Sequence, residues 1–227
     1  MSQPPSSFPC LYGILDLGYT PKVKAAETTR ALLAGGAGIL QLRAKGHDES
    51  TVRGIAELLV PLCRAAGVPF ILNDFPALAG EVGADGVHIG QDDGTLAAAR
   101  ALFLSSPQPA IRNPQSAILF GRSTHSLAQA RDACAEGFDY IGFGPLFPTA
   151  TKPDRPSIGL QDIATMERDV GARVPAFCIG GITRANLRQV LAAGARRVVI
   201  VSDLLQAPDI EQATREALTG LTAGNSR

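Results

Sequence analysis

The chain has 227 residues, 45% of them hydrophobic and 19% charged, the balance of a soluble globular protein. Lys+Arg and Asp+Glu each number 21, so the formal net charge is zero, which argues against a chain that coats nucleic acid or an anionic membrane. No apolar run reaches the ~18 residues that a membrane span requires. The first seven residues lack the basic start and apolar stretch of a signal peptide, so a cytoplasmic location is expected.

Residues 1–9 are rich in Pro and Ser and read as a disordered tail ahead of one domain over 10–222. Within that domain a weak repeat recurs, in which an Ala/Leu-rich helical stretch ends in Gly and a short apolar run follows. It reads Gly36-Ala-Gly-Ile-Leu-Gln-Leu, Gly83-Ala-Asp-Gly-Val-His-Ile, Gly137-Phe-Asp-Tyr-Ile-Gly-Phe and Gly194-Ala-Arg-Arg-Val-Val-Ile. The Gly suits the left-handed residue that ends a helix, and the apolar runs suit strands buried on both faces of a parallel sheet. Four further runs, Cys10–Asp16, Pro69–Asn73, Ala117–Ser123 and Pro175–Ile179, bring the expected strands to eight. Helical patterns separate them, for example Glu27–Ala34, Thr51–Ala66 and Ala185–Ala193. One unit averages about 28 residues, which predicts an α/β chain folded as a (β/α)8 TIM barrel. The rival is an open doubly wound sheet, but the first strand runs into Asp16-Leu-Gly-Tyr-Thr-Pro without a Gly-rich phosphate loop. The four cysteines form no Cys-x-x-Cys pair and read as reduced and mostly buried.

A barrel of this kind gathers its chemistry at the C-terminal ends of its strands. Those ends carry Arg43-Ala-Lys45, Asn73-Asp74, Asp92-Asp93, Arg122-Ser-Thr-His125, Thr149-Ala-Thr-Lys152, Gly180-Gly181 and Ser202-Asp203. Asp74 and Asp93 fall on adjacent strands, whose axes lie ~4.8 Å apart. Two carboxylates ~4 Å apart repel by ~4 kcal/mol at an effective dielectric near ~20. Such a pair calls for a cation or a shared proton, and Mg2+ suits it, because the ion takes one or two carboxylates and completes its shell from water and phosphate. Helix capping is the plainer reading of an Asp at such a place, and it is preferred for Asp92. Arg43 and Lys45, two apart, would face one side of a strand, with Lys152 opposite, and together they suit a polyanion such as diphosphate. A solvated basic loop is the plainer alternative. Gly180-Gly181 and Ser202 suit a backbone phosphate site, although a tight turn uses Gly-Gly equally well. His88 reads as a satisfied core histidine, His125 as a capping or hydrogen-bonding residue with an acid–base role as the alternative, and His47 as exposed. Arg196-Arg197, at the start of the last strand, reads as structural.

The segments Gln41-Leu-Arg-Ala-Lys45, Ile71-Leu-Asn-Asp74, Gly83–Asp93, Gly121–Ser126, Asp139–Lys152 and Ile179–Thr183 run in order through the chain, and together they resemble the thiamine phosphate synthase family. The resemblance implies a transferase that joins 4-amino-2-methyl-5-(diphosphooxymethyl)pyrimidine to a thiazole phosphate or its carboxylated form, giving thiamine phosphate and diphosphate. Carried over by position, Gln41, Arg43, Lys45 and Asn73 would hold the pyrimidine diphosphate, with Ala44 in the same binding segment. Asp74 and Asp93 would bind one Mg2+. Ser123 and Lys152 would contact the diphosphate and, with Arg43 and Lys45, carry the catalysis. Thr149, Thr151, Gly181, Val201 and Ser202 would hold the thiazole phosphate. The implied partners are these small molecules, with neither nucleic acid nor membrane, and homo-oligomerisation is left open. Three positions depart from the family pattern. Ala44 replaces a frequent acidic residue, Leu15-Asp16 replaces a frequent Thr-Asp, and Leu104–Ser116 reads as an insertion. Two rivals stand beside this reading. A related thiazole tautomerase would use His125 but has no diphosphate to expel. A non-catalytic phosphate-binding barrel would keep Gly181 and Ser202 without needing the acid pair.

Overall fold

Eight short apolar segments separated by helices close into a barrel in the computed structural model, which describes residues 8–107, 117–149 and 156–225. The strands are β1 (Leu11–Asp16), β2 (Ile39–Arg43), β3 (Phe70–Asn73), β4 (Gly86–Ile89), β5 (Leu119–Thr124), β6 (Tyr140–Phe143), β7 (Ala176–Cys178) and β8 (Val198–Ile200). Each is parallel to its neighbour in chain order, and β8 pairs with β1, so the sheet has no edge and the open-sheet alternative is excluded. The (β/α)8 architecture expected from the repeat is therefore the one observed.

The helices are α1 (Ala25–Ala34), α2 (Glu49–Ala65), α3 (Pro76–Val82), α4 (Leu96–Ser105), α5 (Leu127–Glu136), α6 (Ile163–Met166), α7 (Leu187–Ala192), α8 (Ser202–Leu205) and α9 (Ile210–Asn225). A π-helical turn, Glu167–Gly171, continues α6. Local chemistry fixes several ends. The Asp48 carboxylate accepts from the Thr51 N–H at 2.8 Å to start α2, and Ser126 accepts from the Gln129 N–H to start α5. The four repeat glycines, Gly36, Gly83, Gly137 and Gly194, all have positive φ, as the sequence pattern required. In α2 the residues Val52, Ile55, Ala56, Leu59 and Cys63 recur at helical spacing and form the face buried on the barrel.

Strand alternation sorts the core into two layers. Outward residues such as Leu11, Leu15, Leu40, Leu42, Phe70 and Leu72 pack under the helices. Inward residues Tyr12, Ile14, Ile39, Ile71, Tyr140, Phe177 and Val199 fill the barrel. Of the residues read as tail, Phe8 and Pro9 are described. The Phe8 ring lies 6.1 Å from Phe177 and 6.4 Å from Tyr140, and Pro9 packs on Gly38. The first two residues of the segment read as an insertion, Leu104 and Ser105, belong to α4, and its residues 108–116 lie outside the described region. The four cysteines are free, with Cys63, Cys134 and Cys178 buried and Cys10 half-buried. Among the described residues no helix is long and apolar enough to cross a membrane.

Close strand packing leaves no room for a side chain at Gly86, where a Cβ would overlap the Leu119 carbonyl of the neighbouring strand. Gly86→Ala is expected to destabilise the fold by ~1–3 kcal/mol, the usual cost of overpacking. The measurement is a lower urea midpoint with an unchanged far-UV spectrum.

Candidate active site

The inward positions at the C-terminal ends of β1 to β5, Asp16, Arg43, Asn73, His88 and Ser123, are polar, and with Gly142 of β6 and Ile179 and Val201 just beyond β7 and β8 they line a cavity of about 940 Å3, counting its open mouth. Register brings its first charged pair together. Asp16 ends β1 directly beside Arg43, which ends β2, and the guanidinium donates to the Asp16 carboxylate at 2.6 Å. Asp16 is only 2% exposed, and its second oxygen accepts from the Gly18 N–H at 2.8 Å. A buried carboxylate thus holds the arginine upright at the cavity wall.

The second pair lies one strand further on. Lys45, just beyond β2, meets the Asp74 carboxylate at 2.5 Å. Asp74 follows Asn73 at the end of β3 with φ of 67°, a left-handed conformation that a non-glycine residue seldom adopts. Its N–H donates to the His88 carbonyl at 2.9 Å, which ties the turn to β4. Burial raises the Asp74 pKa, the Lys45 ammonium lowers it, and the neighbouring Asp93 carboxylate raises it again. Asp74, just after β3, and Asp93, on the loop after β4, are therefore neighbouring carboxylates. Asp93 sits on the loop after β4, where one of its oxygens accepts from the Gly90 N–H at 2.7 Å. Arg122 clamps that loop by donating to the Gly94 carbonyl at 2.6 Å and to the Gln91 carbonyl at 3.1 Å. Its guanidinium lies over the Phe138 ring, and Gln91 in turn donates to the Ser123 carbonyl at 2.6 Å.

The cavity floor is a hydrogen-bonded row across the barrel. Gln41 donates to the Tyr12 hydroxyl at 2.8 Å, and the Tyr12 and Tyr140 hydroxyls lie 3.0 Å apart. His88 Nδ1 lies 3.3 Å from the Tyr140 hydroxyl, and its Nε2 lies 3.0 Å from Ser123 Oγ. The absence of a side chain at Gly121 makes this row possible, because a Cβ there would overlap the Tyr140 ring.

The opposite wall comes from the loops after β6, β7 and β8. Gly180 and Gly181 both have positive φ, and a Cβ on Gly181 would press on Phe147 and the Pro148 carbonyl. Asn186 supports this turn by donating to the Gly181 carbonyl at 2.9 Å and accepting from the Thr183 N–H at 2.8 Å. Thr149, Val201 and Ser202 complete the wall, and His125, which bonds the Gly144 carbonyl through Nδ1, lines the cavity beside them.

Among the described residues no group of three or more His, Cys, Asp or Glu is placed to hold a metal ion. Among the described residues the candidate donors are Asp74 and Asp93, neighbouring carboxylates. Two hard oxygen ligands of this kind fit Mg2+, which takes one or two carboxylates, and do not fit a closed zinc site.

The family model for thiamine monophosphate synthase matches residues 11–204, which spans the barrel from β1 to α8. The chain belongs to the thiamine monophosphate synthase family. A thiamine-phosphate synthase of Thermus thermophilus is 44% identical over 198 residues, 87% of this chain and 89% of its own. One from Chloroflexus aurantiacus is 38% identical over 215 residues, 93% of each chain. Among solved structures, a thiamine phosphate pyrophosphorylase from Pyrococcus furiosus superposes with a TM-score of 0.79 at 30% identity, covering 94% of this chain and 96% of that one. The resemblance and the enzyme class expected from the sequence are thus borne out. Membership in the thiamine monophosphate synthase family carries with it a condensation that yields thiamine phosphate.

Of the residues singled out in the sequence, Gln41, Arg43, Asn73, Ser123, Thr149, Gly181, Val201 and Ser202 line this one cavity. Asp74, Asp93 and Lys45 are not among the lining residues; Asp74 follows Asn73, which is, and Lys45 and Asp93 neighbour Asp74. Thr151 and Lys152 lie outside the described residues. Ala44 is buried in the outer apolar layer and is not part of the cavity lining. Lys45 does not share a strand face with Arg43, because β2 stops at Arg43. His47, read as exposed, is half-buried. His88 is a satisfied histidine as expected, yet it lines the cavity. Sequence reasoning missed Asp16, Tyr12, Tyr140 and Arg122. Period-2 counting back from Asp16 places Tyr12 inward and was the available signal for the first two.

The Asp16–Arg43 pair is nearly dry, so removing one partner strands the other. Asp16→Ala is expected to lower stability toward the ~3–5 kcal/mol seen when a buried pair is broken. Urea denaturation of the variant beside the parent protein measures it.

Proposed function

We propose that the condensation joins 4-amino-2-methyl-5-(diphosphooxymethyl)pyrimidine to 4-methyl-5-(2-phosphooxyethyl)thiazole, or its carboxylated form, by departure of diphosphate before the new bond forms. In this reading Gln41 and Asn73 bind the pyrimidine, while Arg43, Lys45, Ser123 and Lys152 receive the diphosphate. Thr149, Thr151, Gly181, Val201 and Ser202 anchor the thiazole phosphate. Asp74 and Asp93 would hold one Mg2+, which when bound supplies positive charge to the departing oxygens.

The chemistry then follows from charge. The bond from the pyrimidine methylene carbon to the diphosphate oxygen breaks, and its electron pair leaves with the diphosphate. Arg43, fixed in place by Asp16, and the ammonium of Lys45 offset the growing negative charge. The methylene cation that remains is stabilised by electron release from the amino-substituted ring. The lone pair of the thiazole nitrogen then forms the new carbon–nitrogen bond; from the carboxylated form the carboxylate leaves as carbon dioxide, and the electron pair of its broken bond to the ring takes up a proton from water. Anchoring the thiazole through its phosphate makes that step effectively unimolecular. No protein nucleophile or general base is called for.

What supports this reading is that Lys45 pairs with Asp74, whose carboxylate neighbours Asp93, and that Asp74 directly follows Asn73, which lines the cavity together with Arg43 on one side and Gly181 and Ser202 on the other. A tautomerase would have no leaving diphosphate to neutralise and no use for the acid pair. The direct experiment mixes both substrates with and without Mg2+ and reads diphosphate and thiamine phosphate. Product is expected only with the ion present, and product formation after complete chelation would refute the metal role. Asp93→Ala is expected to abolish turnover while thermal unfolding stays near that of the parent. Ser202→Asp, which sets an anion on the proposed phosphate anchor, is expected to weaken thiazole phosphate binding at least tenfold by titration calorimetry, a loss of about 1.4 kcal/mol.

A further inference from the structure

Gln41 donates into one end of the row across the floor, and the direction this favours has a consequence for what the pocket accepts. Each phenol carries one hydrogen and donates once. Burial raises both Tyr12 and Tyr140, so both keep their hydrogens at neutral pH. The Tyr12 hydroxyl accepts from Gln41 Nε2 at 2.8 Å, so its own hydrogen is free for Tyr140 at 3.0 Å. Tyr140, once it accepts, has its own hydrogen for His88 Nδ1, 3.3 Å away. A ring that accepts at Nδ1 carries its hydrogen on Nε2 and donates it to Ser123 Oγ at 3.0 Å. The Ser123 hydroxyl is then left as a donor toward the cavity. At the other end, with one Nε2 hydrogen engaged by Tyr12, the Gln41 amide keeps its carbonyl oxygen and a second N–H for a ligand.

We propose that Tyr12, Tyr140 and His88 are positioning residues that form a one-way relay, locking the Gln41 amide so that the pocket selects an amino-substituted over an oxo-substituted pyrimidine. The ligand in this statement rests on the proposed reaction, whereas the relay stands on the hydrogen bonds alone. An aminopyrimidine edge offers an N–H donor beside a ring-nitrogen acceptor, which complements a carbonyl and an N–H side by side. With the relay reversed, Tyr12 donates to one lone pair of the Gln41 carbonyl, and the amide presents its N–H where the carbonyl stood, with the carbonyl's second lone pair beside it. That edge suits an oxo group beside a ring N–H and sets the amino group against an N–H. Because each member both accepts and donates, the two ends reverse together, so Tyr140 governs Gln41 without touching it.

Two measurements test this. The first is the 15N NMR spectrum of the unliganded protein, with the His88 resonances assigned by loss in His88→Gln. A neutral ring with hydrogen on Nε2 is expected, and hydrogen on Nδ1, in a neutral or a charged ring, overturns the relay. The second compares kcat/KM for the amino and oxo pyrimidine diphosphates in the parent and in Tyr140→Phe, an isosteric change that frees Tyr12 to donate to Gln41. The preference for the amino substrate is expected to fall roughly three- to tenfold, the range of one neutral hydrogen bond. The KM for the thiazole phosphate should stay within twofold, which a general loosening of the fold would not leave alone. A preference unchanged within twofold overturns the proposal. Should Tyr140→Phe fail to fold, Tyr12→Phe, which removes the anchor of the amide, reads the same ratio. A parent protein that makes no thiamine phosphate but has the Nε2–H tautomer refutes the proposed reaction and leaves the relay standing.

Discussion

The alignment of neighbouring parallel strands decides what the mouth of this barrel is. Because side chains alternate across each strand, only every second residue faces inward, and register sets which of those meet. Asp16 is paired with Arg43, Asn73 with His88, and Ser123 with Gly142. A one-residue slip of β2 would turn Arg43 and Gln41 outward under the helices, where a buried charge has no partner. The apolar outer layer and the charged mouth are therefore two results of one alignment, and the first holds the second in place.

Charge at that mouth is handled locally. Arg43 and Lys45 each rest on a carboxylate, while Asp74 also faces Asp93. Arg43 and Lys45, which flank the buried Ala44, draw their support from Asp16 and Asp74. The arrangement orders the exposed Lys45 and keeps Arg43, half-buried in the cavity wall, from standing there as a lone and costly charge.

Much of the fold was legible in the sequence because its signals are local. Gly at a helix end announces a left-handed residue, and an apolar run without alternation announces a strand covered on both sides; Gly83 before β4 and Gly137 before β6 carry both signals. The gathering of Asp74, Asp93, Arg43 and Ser123 at one end followed from the strand order. Contacts set by register were not legible. Nothing near Asp16 in the chain announces Arg43, 27 residues away, and nothing near Tyr12 announces Tyr140, 128 residues away. His88 was read as core because its neighbours in the chain are apolar. In a closed barrel those neighbours face the helices, and the histidine alone faces in.

The two loops after β6 and β7 are stitched by backbone bonds from Leu146 to Ile179 at 2.9 Å and from Phe147 to Gly180 at 3.0 Å, with Phe147 seated where a Gly181 side chain would be. They consequently behave as a single exchangeable part. Anyone grafting a new specificity onto this scaffold would have to transplant both segments at once, since a foreign partner on either side would meet a backbone cut to fit the original.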